Sequence, residues 1–160
     1  MALDSMQEIF DKIQEQHKPF WEIVLDTDVE EREVTREQSF EKMRSTWRAM
    51  LDTDANYQGD RHSLSGLVGG DGQKMREYAA GGNTISGSFV SEVIATALRT
   101  GESNACMRRI VAAPTAGSCG VLPAVLLPLW RREQIPEEEM VKVLYVVAGI
   151  GAVIGYRASI

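Results

Sequence analysis

A chain of 160 residues with 44% hydrophobic and 25% charged positions lies in the ordinary range of soluble globular proteins, and one domain suffices for that length. Its net charge of −6 offers no electrostatic footprint for nucleic acid or an anionic membrane surface, so neither is an expected partner. The opening MALDSMQEIFDKIQEQHK alternates acids and bases and lacks the basic start and apolar run of a secretory signal; a cytoplasmic location follows, with Cys106 and Cys119 as reduced thiols.

Up to about Tyr57 the chain is highly charged, with apolar residues at helical spacing. Leu3, Met6, Ile9, Phe10 and Ile13 fall on one face of an amphipathic helix. Pro19 can open a second helix, whose Phe20, Trp21, Ile23, Val24 and Leu25 are too dense for one stripe and imply contact on two sides. Thr35 and Gln38 form a capping box for a third helix that turns Phe40, Met43, Trp47, Met50 and Leu51 inward and ends near Asn56. Nothing here has a spacing that demands chemistry, and His17 belongs at the surface near a helix end.

From Gly59 glycine, serine and threonine gather in blocks. Two glycine-rich turns surround a short helix at residues 73–80. Backbone amides around Gly69, Gly70 and Gly72 could cradle a carboxylate or phosphate, but the same residues serve equally as tight turns between helices. Neither familiar phosphate fingerprint is present. His62 stands at the lip of the first turn, without a sequence-visible partner that would make it a base. Residues 88–100 read as a buried helix with Phe89, Val93, Ile94, Ala97 and Leu98 inward and Gly101 as its stop.

Cys119 lies where a small-residue loop passes into an apolar helix. A cysteine near a helix N-terminus sees unpaired amides and the positive end of the dipole, which favour thiolate. The same amides, with the Thr115 and Ser118 hydroxyls, could receive a small carboxylate. Three roles compete for this thiol: a structural core residue, a nucleophile, or a metal ligand. The nucleophile lacks a neighbouring base in the sequence, and the ligand lacks company, since metal sites usually take three or four Cys or His groups. Cys106, outside any C-x-x-C pattern, is expected as a core thiol. Pro123 falls in the first turn of the following helix; Pro128 should kink or end it.

The last segment, residues 140–156, is almost wholly apolar, with Gly151 and Gly155 in a G-x-x-x-G. Pro136 followed by Glu137, Glu138 and Glu139 marks its start. It is at the short limit for a membrane span and suits a central buried helix facing residues 121–130, with an apolar face exposed once downstream partners are removed. With no long β-alternation anywhere, the expected fold class is all-α.

The run V-A-A-P-T-A-G-S-C-G-V-L-P-A-V-L-L, preceded by G-G-D-G-Q-K-M-R-E-Y and followed by G-I-G-A-V-I-G-Y-R-A-S-I, closely resembles the alpha chain of the iron–sulfur L-serine dehydratases, from Arg61 onward. The resemblance implies that Cys119 is one ligand of an oxygen-sensitive 4Fe-4S cluster, whose other ligands would follow Ile160. The chain would then be the front of a catalytic domain cut short, with residues 1–57 as a charged helical layer and 58–160 as glycine-rich loops and core helices. It further implies an open iron acting as Lewis acid on the hydroxyl of L-serine, loss of water to an aminoacrylate, and release of pyruvate and ammonia, a step of amino-acid catabolism that can feed gluconeogenesis. A beta subunit or beta domain is the implied partner, in an oligomer, and the implied source of the base, so no catalytic base is assigned within this chain. Thr115, Gly117 and Ser118, with Ser65, are the expected substrate contacts. The chain by itself is expected to be inactive. From another class, the alternative is a helical interaction module that mediates subunit association.

Overall fold

The computed structural model describes residues 3–157, and every regular element among them is helical. The A-S-I end of the resemblance lies outside the described residues. Seven α-helices follow one another: α1 Met6–Gln16, α2 Phe20–Arg32, α3 Arg36–Ala55, α4 Asp71–Ala80, α5 Gly87–Ala105, α6 Val121–Glu133 and α7 Glu137–Arg157. Contacts divide the chain into two compact units, Arg48–Ile135 and the described residues on either side of it.

In the flanking unit the amphipathic reading holds. Ser5 caps α1 through its hydroxyl and the Glu8 amide, Pro19 precedes α2, and Thr35 and Gln38 bond reciprocally at the start of α3. Ile9, Ile23, Val24, Leu25, Val141 and Tyr145 make the core, and α2 is covered by α1 on one side and α7 on the other, which explains its dense apolar run. Tyr145, buried on α7, shares a hydrogen bond with Ser39 of α3 (2.7 Å), whose hydroxyl donates to Asp28 of α2. His17 is exposed in the left-handed cap of α1.

Helix α7 is the described helix long and apolar enough to cross a membrane, with mean hydropathy 1.6. It buries Met140, Val141, Leu144, Tyr145 and Gly149 on one face, while Val143, Ile150 and Ile154 face outward. The close approach expected at the G-x-x-x-G toward residues 121–130 is found instead at Gly149, against α2. A Cβ on Gly149 would lie 2.6 Å from Val24 Cγ2 and 2.9 Å from Phe20 Cε1, whereas one on Gly151 would meet nothing.

In Arg48–Ile135 the helix stop expected at Gly101 is overturned, and of the two outcomes expected at Pro128 the helix end is not the one found. Helix α5 does not stop at Gly101 but continues to Ala105, and α6 passes through Pro128 to Glu133. In each case tertiary contacts made by a residue beyond, Glu102 in one helix and Arg131 in the other, outweigh a local penalty of about 1 kcal/mol for glycine and about 3 for proline. The buried face of α5 is also not the apolar one. Ser91, Ala95, Thr96, Arg99, Thr100, Glu102 and Ser103 are buried, while Ile94 and Leu98, expected inward, are exposed together with Val90.

Two of the three glycines of α7, Gly149 and Gly151, make a paired test. Gly149→Ala should destabilise the protein by about 1–2 kcal/mol, since overpacking against Val24 and Phe20 exceeds the gain in helix propensity. Gly151→Ala should stabilise it by up to about 1 kcal/mol. Urea denaturation of both variants checks the opposite signs.

Candidate functional site

The unit Arg48–Ile135 holds the glycine-rich turns and the cysteine, and α5 positions both. Its terminus is a left-handed cap: Met107 has φ 57°, its amide donates to the Asn104 carbonyl (3.0 Å), and the Arg108 amide reaches back to Ser103 (2.9 Å). The helix thereby extends far enough for Glu102 to meet α4. The Glu102 carboxylate accepts from the Asp71 amide (2.7 Å) and the Gly72 amide (3.0 Å), the unpaired donors that open α4. The Tyr57 hydroxyl donates to the same carboxylate and accepts from the Gln73 amide (3.1 Å). Burial first, and the neighbouring Glu102 second, push Tyr57 up to about 12, so it stays a donor.

These contacts settle the Gly69–Gly72 question. The amides at 71 and 72 do bind an anion, but that anion is the chain's own Glu102. Glycine is required at 72, where a Cβ would stand 3.0 Å from Arg99 Cγ, its backbone nitrogen and the Tyr57 hydroxyl. At Gly69, with φ +143°, a Cβ would be 2.2 Å from the Arg61 carbonyl oxygen. Spacing alone carried no sign of Glu102, which lies on the far side of a presumed helix stop.

Beside it, Asp54 of α3 is buried between two arginines. Arg99 Nε donates to one carboxylate oxygen (2.8 Å) and Arg131 of α6 to the other (2.5 Å), while Arg99 also bonds Glu92 and Thr96, each at 3.0 Å. Burial pushes the Asp54 carboxyl up, but the hydrogen bonds and charges of Arg99 and Arg131 outweigh it, and it lies below its ordinary value.

The residues 113–120 form a compact turn on α5. Ala116–Ser118 is one 3-10 turn, preceded by a cis Ala113–Pro114 bond. Ser118 Oγ accepts from the Thr115 amide (3.2 Å), lies 3.1 Å from Thr115 Oγ1 and donates to the Ala113 carbonyl (3.0 Å). Asn104 Nδ2 of α5 donates to the Ala116 carbonyl (3.0 Å). Thr115 and Gly117 are exposed and Ser118 is half-buried. Three of the four expected substrate contacts thus share one turn, which the hydroxyls of Thr115 and Ser118 help to shape. Ser65 stands in a separate exposed turn, where its hydroxyl bonds Ser63 (3.1 Å). His62 is exposed at that turn's start.

Cys119 follows directly. It is 1% exposed, its Sγ points at the Thr100 carbonyl (3.9 Å), and a Cβ on Gly120 would lie 3.0 Å from the Ala97 carbonyl, so glycine lets α6 start hard against α5. The thiolate expected from the helix N-terminus is not what the folded chain favours. Burial pushes the Cys119 thiol up, and the opposing amides of Cys119 and Gly120 have the smaller effect. Cys106 is half-buried at the cap of α5, outside the core where it was expected. Among the described residues no group of three or more His, Cys, Asp or Glu is placed to hold a metal ion. One buried thiol does not fit a cluster site by itself.

A family model described as serine dehydratase alpha chain matches residues 15–160. The probable L-serine dehydratase alpha chain of Bacillus subtilis (strain 168) is 29% identical over 156 residues, covering 98% of this chain and 52% of its own length. The L-serine dehydratase alpha chain of Peptoniphilus asaccharolyticus is 29% identical over 158 residues, covering 98% of this chain and 54% of its own. A probable L-serine dehydratase alpha chain of Latilactobacillus sakei is 33% identical over 69 residues, 43% of this chain and 33% of its own length. The chain spans about half the length of the first two of these relatives. No solved structure gives a significant match.

Two expected outcomes test the network that carries the turns. Glu102→Gln should weaken the cap of α4 by about 1–3 kcal/mol, the range for a lost charge-assisted hydrogen bond, and speed amide hydrogen exchange at 71–73 more than in α6. Asp54 has a folded pKa below its unfolded one, so its stabilisation is complete above the ordinary value of 3.8 and is lost as pH falls through the lower folded value. Asp54→Asn should therefore cost about 3 kcal/mol at pH 7, because it leaves two arginines without their buried counter-charge, and should flatten the acid limb. Urea unfolding at a series of pH values from 3 to 7 measures both.

Proposed function

The chain belongs to the serine dehydratase alpha chain family, and from that premise we propose that the whole protein deaminates L-serine to pyruvate and ammonia in the cytoplasm. The observation that carries this reading is a family match over residues 15–160, a span that includes both glycine-rich turns and the cysteine-bearing turn. Conversion of serine to pyruvate needs loss of the α-proton and the β-hydroxyl, then hydrolysis of the enamine product. In this chain the 115–118 turn is suited to the orienting part of that work. Thr115 is exposed at the head of the turn that leads into α6, and a substrate carboxylate bound at that turn would gain charge-assisted hydrogen bonds. Ser118 holds the turn in shape, and Asn104 and Thr100 fix it to α5.

A 4Fe-4S cluster belongs to the proposal with Cys119 as one ligand, the remaining ligands coming from elsewhere in the whole protein, and no step is assigned to it from the residues described. The base is likewise placed in the beta subunit or beta domain. The outward apolar stripe of α5, Val90, Ile94 and Leu98, with Val121 and Val125 exposed on α6, supports an assembly in which this face is covered. On this reading the 160-residue chain alone holds no stable cluster and turns over no serine.

In the complete enzyme, Cys119→Ser should abolish cluster assembly and pyruvate formation while Cys106→Ser leaves both, as read by iron content and pyruvate release under anaerobic conditions. Thr115→Val and Ser118→Ala should lower kcat/KM about ten- to a hundredfold, corresponding to about 1–3 kcal/mol, with iron content retained. Full iron and activity in Cys119→Ser would remove the cysteine from the mechanism. A four-iron, serine-consuming species on the 160-residue chain would overturn the division of ligands.

A further inference from the structure

The shape of the turn at 113–120 and its place on α5 are set by different groups. The hydroxyls of Ser118 and Thr115 bond to one another, to the Thr115 amide and carbonyl and to the Ala113 carbonyl, all inside the turn, and these bonds give it its form. Its seat is one face of α5. There Ala97, Thr100 and Asn104, three and four residues apart, meet Gly120, Cys119 and Ala116 in reverse order.

The two ends of this seat are made differently. At the cysteine end the contact is close packing, with Cys119 buried against the Thr100 carbonyl and Gly120 hard against the Ala97 carbonyl. At the Thr115 end, where the turn is exposed, it is a hydrogen bond from Asn104 Nδ2 to the Ala116 carbonyl (3.0 Å). The same carbonyl accepts from the Cys119 amide (3.3 Å), so the Asn104 side chain joins α5 to the bond that closes the turn. Asparagine is a poorer helix former than alanine, and what its side chain contributes at 104 is this bond rather than the helix.

We propose that Asn104 is a positioning residue for the substrate: acting through the Ala116 carbonyl, it holds the Thr115 end of the turn where Thr115 meets the substrate carboxylate. The assignment rests on the reading of the 115–118 turn as the place that receives this carboxylate. Loss of the Asn104 donor frees the Thr115 end and weakens serine binding, while the cysteine end keeps its place by packing.

Steady-state kinetics on the complete enzyme under anaerobic conditions, with iron measured in the same samples, tests this. Asn104→Ala should raise KM for L-serine about five- to tenfold, the loss expected for one neutral hydrogen bond, with kcat and iron content within about twofold of wild type. Asn104→Asp, equal in shape but without the donor, should raise KM at least as much. Asn56→Ala, which removes a like bond to the Asp52 carbonyl at the end of α3, should leave KM unchanged. The double variant Asn104→Ala/Thr115→Val should have a KM within about twofold of Thr115→Val alone, because both changes act on one contact. A residue that only stabilises the fold would instead lower kcat and iron content together at unchanged KM, and that result overturns the proposal. So does a wild-type KM in Asn104→Ala and Asn104→Asp when Thr115→Val raises it, or a double variant in which the two effects multiply. Wild-type KM in Thr115→Val would overturn the reading of the turn itself, and the role of Asn104 with it.

Discussion

The carboxylate of Glu102 is the tie on which the unit Arg48–Ile135 depends. One buried side chain on α5 satisfies the opening amides of α4, receives the Tyr57 hydroxyl and so fixes the chain between α3 and α4. Helix N-termini attract anions because their first amides have no intrahelical partner. Here that attraction is used internally, and the glycines at 69 and 72 are present because the backbone must pass within van der Waals contact of Arg61, Arg99 and Tyr57 for the carboxylate to reach. A second buried acid, Asp54, extends the tie to α6 through Arg99 and Arg131. A buried acid held between two arginines tolerates neutralisation badly, since removing the carboxylate strands both cations.

This polar seam decides which way α5 faces. A helix with Val90, Ile94 and Leu98 at four-residue spacing would ordinarily turn that stripe inward. In this protein the opposite face carries Arg99 and Glu102, which meet Asp54 of α3 and the opening amides of α4, and a buried charge is costly unless it is paired. The apolar stripe is left outward, continuous in character with exposed valines on α6. Such a surface is unusual for a protein that works alone and suits one that works as part of a larger molecule.

The cysteine-bearing turn shows the same competition between local and tertiary effects. At its helix N-terminus Cys119 has the amides that lower a thiol pKa, yet it is packed against the Thr100 carbonyl, and the loss of water outweighs them. Recruitment of this thiol as a ligand therefore implies that the proton leaves when metal binds, a coupling common to thiolate sites. The hydroxyls of Thr115 and Ser118 close the turn that presents it.

What the sequence by itself determined was the all-α class, the approximate course of all seven helices, the capping box at Thr35 and Gln38, the two-sided burial of α2, and membership of the serine dehydratase alpha chain family through a motif centred on Cys119. Those features are local: periodicity, capping and short motifs are written in neighbouring residues. Only the tertiary structure decided that α5 runs past Gly101 and α6 past Pro128, that α5 buries its polar face, that the anion at Gly72 is Glu102, and that burial pushes the Cys119 thiol up. Each of these turns on a partner distant in the chain, as Glu102 is from Asp71 and Arg131 from Asp54. A propensity of about 1–3 kcal/mol in one residue yields when a buried charge would otherwise go unpaired, and no window of neighbouring residues contains that information.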